Sequence, residues 1–281
     1  MALPSDPLDA LLFVGFAVSI VLGLVELAAI VGRGGRYPVR QSAVSLLIAL
    51  GQSVSSPLST PWLANRLFSP IHAHRLTTLP LTAWWHWLAL FLVVELVYYW
   101  FHRWNHQVAW FWATHSVHHS SEYMNLTAAY RFGWTGLLSA YFLVWAPLVW
   151  LGLPPRALFG VLTASMIYQG WLHTEMVGRL PRAVEWLFNT PSRHRLHHAV
   201  DPRYRDRNFG GVLMVFDHLF GTAAAEEEGS APSLRYGLEG RRESSNPLRV
   251  VFGGWLALAV EVLRARSFGE ALRRCWRPPA R

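Results

Sequence analysis

The chain has 281 residues, 52% of them hydrophobic, with 15 Trp and a positive mean hydropathy, a length that fits one large domain or two small ones. All its cationic side chains are arginines, 25 against 17 carboxylates for a formal charge of +8, and in so apolar a chain the matching partner is an anionic membrane surface, not nucleic acid. The single cysteine, Cys275 in the tail "RRCWRPPAR", excludes an intramolecular disulfide and a thiolate metal site.

The N-terminus "MALPSDPLDALLFVGF" has no cationic leader and no small-residue cleavage site, so it does not read as a cleavable signal peptide. The apolar run from Leu8 to Val31 is long enough to cross a hydrocarbon core, which takes roughly 20 residues. A second apolar segment, 41–60, is rich in Ser and Gln, which suits a tilted or partly inserted helix. A third, 81–101 ("LTAWWHWLALFLVVELVYYWF"), has the aromatic ends of an interfacial belt. The fourth and fifth, 134–153 and 156–173, meet at "LGLPPR" and read as a helical hairpin. Two polar stretches, 102–133 and 174–248, carry most of the histidines, and 249–264 reads as an interfacial helix flanked by Arg. There is no internal repeat and no low-complexity linker. The expected fold is all-α: a polytopic membrane bundle of four to five spans with a cytosolic helical cap. Its regions are 1–80 (N-terminal membrane region), 81–248 (the domain with the histidine boxes) and 249–281 (interfacial helix and basic tail).

Loop charge sets the expected orientation. "RGGRYPVR" at 33–40 carries three Arg while residues 1–10 carry only Asp, which places 33–40 in the cytoplasm. If 41–60 crosses, then 81–101 returns inward, and the hairpin brings 174–248 to the same face. All the histidine clusters then lie on the cytoplasmic side. An arginine-only cation set points to a GC-rich bacterial genome, and so to a bacterial inner membrane.

Nine of the 13 histidines fall into a pattern. "FHRWNH" gives His102 and His106; "HSVHH" gives His115, His118 and His119; "GWLHTEM" gives His173; "SRHRLHHA" gives His194, His197 and His198. On a helix, positions i, i+3 and i+4 are surface neighbours, so each HxxHH trio is expected to aim its rings at one point. Neutral imidazole is the commonest side-chain metal ligand. Eight or nine of them exceed the needs of one ion and imply two. All-nitrogen donors suit Fe, Zn, Cu or Ni and disfavour Mg and Ca. An open pair of ions at a membrane boundary suits O2 activation by iron, with zinc left as an alternative.

These boxes resemble those of the fatty acid hydroxylase and sterol desaturase superfamily over about residues 85–240. The strings "THSVHHSSEYMNLTAAYR" (114–131), "YQGWLHTEMVG" (168–178), "LFNTPSRHRLHHA" (187–199) and "YRDRNFGGVLMVFDHLFGT" (204–222) are most similar to its alkylglycerol monooxygenase-like bacterial members. The resemblance implies two iron ions held by His102, His106, His115, His118, His119, His194, His197 and His198, with His173 a ninth ligand. It also implies an external electron donor, tetrahydrobiopterin or a separate redox protein. Gln169 stands where some relatives place a further histidine, and the usual "NYG" reads "NFG" at 208–210. Groups that orient the imidazoles through their other nitrogen are sought among Glu122, Gln169, Glu175, Asp201, Asp206 and Asn208. The carboxylates and Asn208 have a second reading as helix caps or loop solvation.

The expected activity is O2-dependent hydroxylation of a membrane lipid, which for an ether lipid gives a hemiacetal that falls apart to aldehyde and glycerol. The rivals are a sterol, carotenoid or sphingolipid hydroxylase or desaturase of the same superfamily, and a metal-binding membrane protein or carrier without turnover. A carrier should spread its ionisable ligands through the spans, whereas here they gather beyond them. His72, His74 and His86 are read as interfacial, His218 is left open because it lies in a matched string, and Glu95 is expected to face the bundle. The oligomeric state is not encoded.

Overall fold

A computed structural model describes residues 6–226 and 234–279. The first five residues of the expected N-terminal region, 227–233 of the polar stretch 174–248 and the last two of the basic tail lie outside the described residues. The described chain is helical throughout, with one isolated antiparallel bridge, Phe188 to Leu213.

Helix α1 (Pro7–Gly32) begins where the Asp6 carboxylate accepts the Leu8 N–H at 2.9 Å, with proline in the first turn. Almost none of its apolar surface is covered: Phe16 and Leu24 are exposed. Helix α2 (Val39–Leu63) is as long but more polar, and it runs through a π turn (Ala64–Phe68) into the short α3 (Ser69–Ala73). Helix α4 (Trp84–Gln107) is capped by His86, whose Nδ1 accepts the backbone N–H groups of Thr82 and Ala83. Among the described residues α1 and α4 are the helices long and apolar enough to cross a bilayer. Exposed apolar surface on this scale is that of a membrane protein.

The buried stripe of α4 explains how a hydrophobic helix delivers a polar site. Leu90, Val94, Tyr98, His102 and His106 all lie on the covered side. They are spaced i, i+4, so one face passes from apolar to imidazole without a change of register. After a break at Val108 come α5 (Ala109–His115) and two 3-10 turns, His118–Ser120 and Leu126–Tyr130.

The expected helical hairpin takes a different form. Its first arm, 134–153, is three pieces: α6 (Gly136–Ser139), a 3-10 turn (Tyr141–Trp145) and α7 (Ala146–Leu151). Ala140 sits at φ 55°, a left-handed conformation that stops α6, and Pro147 in the first turn of α7 cannot continue a preceding helix. Gly152, at φ 117°, turns the chain where a Cβ would lie 2.2 Å from the Thr77 carbonyl oxygen. The second arm is one helix, α8 (Pro155–Gly170), packed with α7 on α4 through Val94, Tyr98, Trp145, Val149 and Leu158.

The polar region contributes α9 (Arg182–Leu187), α10 (Pro191–His198) and α11 (Val215–Leu219). Then α12 (Pro247–Leu263) returns to lie across α5. A Cβ on Gly254 would meet the Ala113 carbonyl oxygen at 2.4 Å, so glycine is what lets the two backbones approach. The helix expected at 249–264 therefore exists, but Val250, Val251 and Leu258 are buried against protein. The helix with an uncovered apolar face is the next one, α13 (Phe268–Trp276), with Phe268, Leu272 and Trp276 exposed.

Candidate metal centre

All nine histidines singled out in the sequence meet in one place, in two groups. His102, His106, His115, His119 and His197 form one and His118, His173, His194 and His198 the other, the candidate ligand atoms within each group lying within 4.8 Å of one another. The grouping does not follow the motifs. In each HxxHH trio the residues at i and i+4 share a group and the residue at i+3 crosses to the other one. The physical reason is angular: i+4 lies about 40° round the helix from i, whereas i+3 lies about 60° the other way. A 3-10 turn beginning at His118 sharpens the divergence in the first trio.

In the group of four, the Nε2 atoms form a closed ring. His173 lies 3.2 Å from His118 and 3.0 Å from His194, and His198 lies 3.1 Å from each of His118 and His194. Four donors about 2.1 Å from a common centre sit roughly 3.0–3.4 Å apart, so the ring has the dimensions of a first coordination sphere. In the group of five the contact between the Nε2 atoms of His115 and His106 is 3.1 Å. The groups adjoin: the rings of His119 and His198 stack with centroids 4.2 Å apart.

Backbone carbonyls fix the tautomers. The Nδ1 of His102 lies 2.9 Å from the Phe209 carbonyl oxygen, that of His173 3.1 Å from Gln169 and that of His197 2.8 Å from Arg207. A carbonyl can only accept, so each of these rings carries its proton on Nδ1 and turns the bare Nε2 lone pair inward. The buried Nε2 atoms of His102 and His119 find no hydrogen-bond partner. Inward lone pairs without donors are costly unless a cation receives them, and soft-to-intermediate divalent ions with a preference for imidazole fit this donor set. Burial, followed by the neighbouring imidazoles, pushes His118, His119, His194 and His198 well below the ordinary histidine value of 6.5. Burial thus favours the neutral form, the form in which an imidazole is able to take a metal.

The groups that support the imidazoles are mostly not those expected. Gln169 acts through its backbone carbonyl on His173, while its side chain accepts from the Tyr98 hydroxyl at 2.7 Å and donates to Ser165. Asp206 is nearest to the expected role, its carboxylate 3.8 Å from the Nδ1 of His106. Asn208 braces its loop by donating to the Arg193 and Ala224 carbonyls, and the carbonyl of its neighbour Phe209 reaches His102. Glu122 accepts the Glu243 N–H, Glu175 accepts from Tyr236, and Asp201 caps the turn at Pro202–Tyr204, all at the surface. The physical reason is reach: a carboxylate at the rim meets solvent and caps backbone, whereas carbonyls enter with the chain itself.

Buried acids and arginines do the bracing instead, among them Glu95, Asp217, Glu26 and Arg131. Glu95, in mid-α4, accepts from the Ser165 hydroxyl and from the N–H groups of Val212 and Leu213. It faces the bundle, as expected. Asp217, which the sequence reading passed over, accepts from the N–H groups of Phe209 and Gly210 and from Thr222; burial raises its pKa. Glu26 of α1 accepts from the Leu126 N–H and the Thr174 hydroxyl. Arg131, wholly buried, donates to Ser45, Ser120, the Gln41 carbonyl and Glu243. The one signal for Glu26 and Glu95 in the sequence is a lone carboxylate in an apolar run.

The remaining histidines stand apart. His74 contacts the Pro70 carbonyl, His86 caps α4, and His218 stacks on Trp186 with a ring-centroid distance of 5.1 Å. His72 belongs to neither group.

Two cavities reach the histidines from different sides. One, about 100 Å³, is lined by His106, His119, His197 and His198 with Arg205, Asp206 and Arg241 at its polar rim. The other, about 240 Å³, is mainly apolar; it touches His115, His118 and His173 and is walled by Tyr98, Leu162 and Met166.

A membrane helical scaffold that closes nine imidazoles into two adjoining groups defines a class, and the comparisons agree with it. Residues 87–222 match the fatty acid hydroxylase family. The chain is 42% identical to alkylglycerol monooxygenase of Danio rerio over 150 residues, 53% of this chain and 33% of that protein. It is 39% identical to the Homo sapiens alkylglycerol monooxygenase over 181 residues, 64% of this chain and 39% of that protein. It is 30% identical to an ornithine lipid hydroxylase of Rhizobium tropici over 131 residues, 47% of this chain and 39% of that protein. The chain thus spans about two fifths of the length of the curated relatives it matches, or less. No solved structure matches.

Proposed function

We propose that the chain is an integral-membrane, iron-dependent lipid hydroxylase or monooxygenase that consumes O2. The observation that carries this reading is the pair of histidine groups with an apolar cavity against His115, His118 and His173. In this reading the nine histidines are the ligands of two ions, five donors on one and four on the other. Bound there, iron supplies the activation of O2, chemistry that no side chain here provides. The protein's own part is to hold neutral imidazoles through carbonyls, to keep water from the buried groups, and to place a methylene in the apolar cavity beside them.

Similarity to alkylglycerol monooxygenases supports an alkylglycerol ether as substrate, oxidised at the carbon beside the ether oxygen. The resulting hemiacetal needs no residue to decompose. The ornithine lipid hydroxylase favours a second reading, hydroxylation of a polar lipid's chain without cleavage. Reducing electrons come from outside the chain, from tetrahydrobiopterin or a redox protein. We place the domain at 81–248 between a membrane region (1–80) and the segment 249–281. The bundle of four to five passes then carries its histidine cap on the cytoplasmic side of a bacterial inner membrane.

The test is oxygen uptake by iron-loaded protein with reduced pterin and a panel of 1-O-alkylglycerols, sterols and ornithine lipids. Fatty aldehyde from the ether supports the first reading and hydroxylated lipid without aldehyde the second. No uptake with any lipid overturns both.

A further inference from the structure

A third cavity, about 510 Å³ and almost purely apolar, adjoins the one that touches the histidines. The two share Phe101 of α4 and Tyr141, the first residue of the 3-10 turn Tyr141–Trp145. These rings meet edge to face, with centroids 5.3 Å apart, and form the partition between the cavities. We infer that the third cavity is a lateral portal for the hydrocarbon chain of a membrane lipid, and that Phe101 and Tyr141 are the gate between it and the histidine groups. This rests on the reading of the chain as a lipid-oxidising enzyme and names the route its substrate takes.

Four features support the portal. Its wall is hydrocarbon and aromatic, contributed by Trp104, Val108, Phe111, Leu143 and Val144, which suits an alkyl chain and offers a polar headgroup nothing. It opens beside the last turns of α4, where a spanning helix reaches the interface, and Trp104 and Leu143 are exposed there. Its outer edge is formed by Trp276, which packs edge-on against Phe111 at 6.0 Å. Trp276 belongs to α13, whose Phe268, Leu272 and Trp276 share one face while Arg273 and Arg274 lie off it, the pattern of a helix lying in the bilayer surface. Finally, the gate depends on the break in the expected hairpin. Ala140 in its left-handed conformation turns Tyr141 away from the α6 axis, and a continuous helix over 134–153 would give no such partition.

The tyrosine and phenylalanine therefore decide how far a chain penetrates. Beyond them it meets Trp145, Leu162 and Met166, then the His115, His118 and His173 rings.

The experiment reads chain position without requiring turnover. Full-length protein is reconstituted in phosphatidylcholine vesicles containing a hexadecyl lipid with a diazirine near the chain end, irradiated, and mapped by peptide mass spectrometry. Adducts are expected at Leu143 and Val144 and, deeper, at Trp145 and Met166, as well as on the exposed face of α1. Tyr141→Trp, which enlarges the gate ring, should lower the deep adducts at least fivefold and leave those on α1 unchanged. Phe101→Leu should raise the deep adducts at least twofold, and melting temperature and metal content show whether each variant is folded. Adducts confined to the outer faces of α1 and α4, or deep labelling that neither variant alters, would overturn the proposal. Labelling without oxygen uptake would leave the portal standing and remove the enzymatic reading. Oxygen uptake without portal labelling would do the reverse.

Discussion

The ring Nδ1 of His102 lies 2.9 Å from the carbonyl oxygen of Phe209, and this contact decides which nitrogen the imidazole turns toward the centre. Phe209 is itself held by Asp217, which accepts its N–H at 2.8 Å and that of Gly210 at 2.7 Å. A chain of two hydrogen bonds therefore runs from a buried carboxylate to the His102 ring. In Asp217→Asn the amide turns an NH2 or a weaker acceptor toward two backbone donors. We expect a roughly 10–100-fold loss of metal affinity in the group of five, with the other group keeping its ion. Metal titration followed by elemental analysis measures this, and an unchanged first affinity would refute it.

The two groups should also empty separately. His102→Ala is expected to halve the bound metal by emptying the group of five, and His173→Ala to halve it by emptying the group of four. Each should lower lipid oxidation by about 100-fold or more, since both ions serve one reaction in this reading. His72→Ala, outside both groups, serves as the control and should change neither quantity. Metal-to-protein ratios decide the matter: loss of both ions in either variant would mean a single, indivisible site.

Arg131 and Glu243 form a buried ion pair, 0% and 4% exposed, that fastens α2, the turn after His118 and the strand-free segment before α12. Burial pulls the Arg131 pKa down, with Glu243 opposing that shift. Removing one partner leaves the other buried and uncompensated, which costs about 3–5 kcal/mol. Arg131→Met should therefore lower the thermal midpoint by several degrees, and Arg131→Met with Glu243→Met should recover a large part of it. If the double variant is as unstable as the single one, the pair is not the reason for the loss.

Acid should destabilise the metal-free protein in a defined window. The buried, neutral His118, His119, His194 and His198 have folded-state pKa values well below 6.5, while the unfolded chain takes up protons near 6.5. Above that pH both states are neutral and there is no effect. Below it the unfolded state binds protons that the folded state refuses, so stability falls as the pH drops toward the depressed values. Thermal midpoints of apoprotein should be equal at pH 8 and 7.5 and decline progressively from pH 6.5 to 5. A flat profile across that range would show that the rings are not held neutral.

Much of this was legible along the chain. The α4 stripe Val94, Tyr98, His102 and His106 is a simple i, i+4 progression, and both long apolar helices could be placed from length and hydropathy. The break at Ala140 was not, because a run of apolar residues reads the same whether it forms one helix or three pieces. Nor were the bracing groups: Arg131 acts on Ser45 and Glu243, distant along the chain, and Asp217 acts on the backbone N–H groups of Phe209 and Gly210, which no side-chain pattern marks.

Helical spacing marked, from the sequence alone, eight of the histidines as neighbours on shared faces, while the solitary His173 was included only through the resemblance. It could not say how they would be shared out. Neighbours His118 and His119 serve different groups, and His197 leaves His194 and His198 to join His102, because a ring's destination depends on which other helix it meets. The carbonyls of Phe209, Gln169 and Arg207 then set the tautomers. A carbonyl belongs to every residue alike, so its role has no letter in the sequence; only packing brings it within 3 Å of a particular ring.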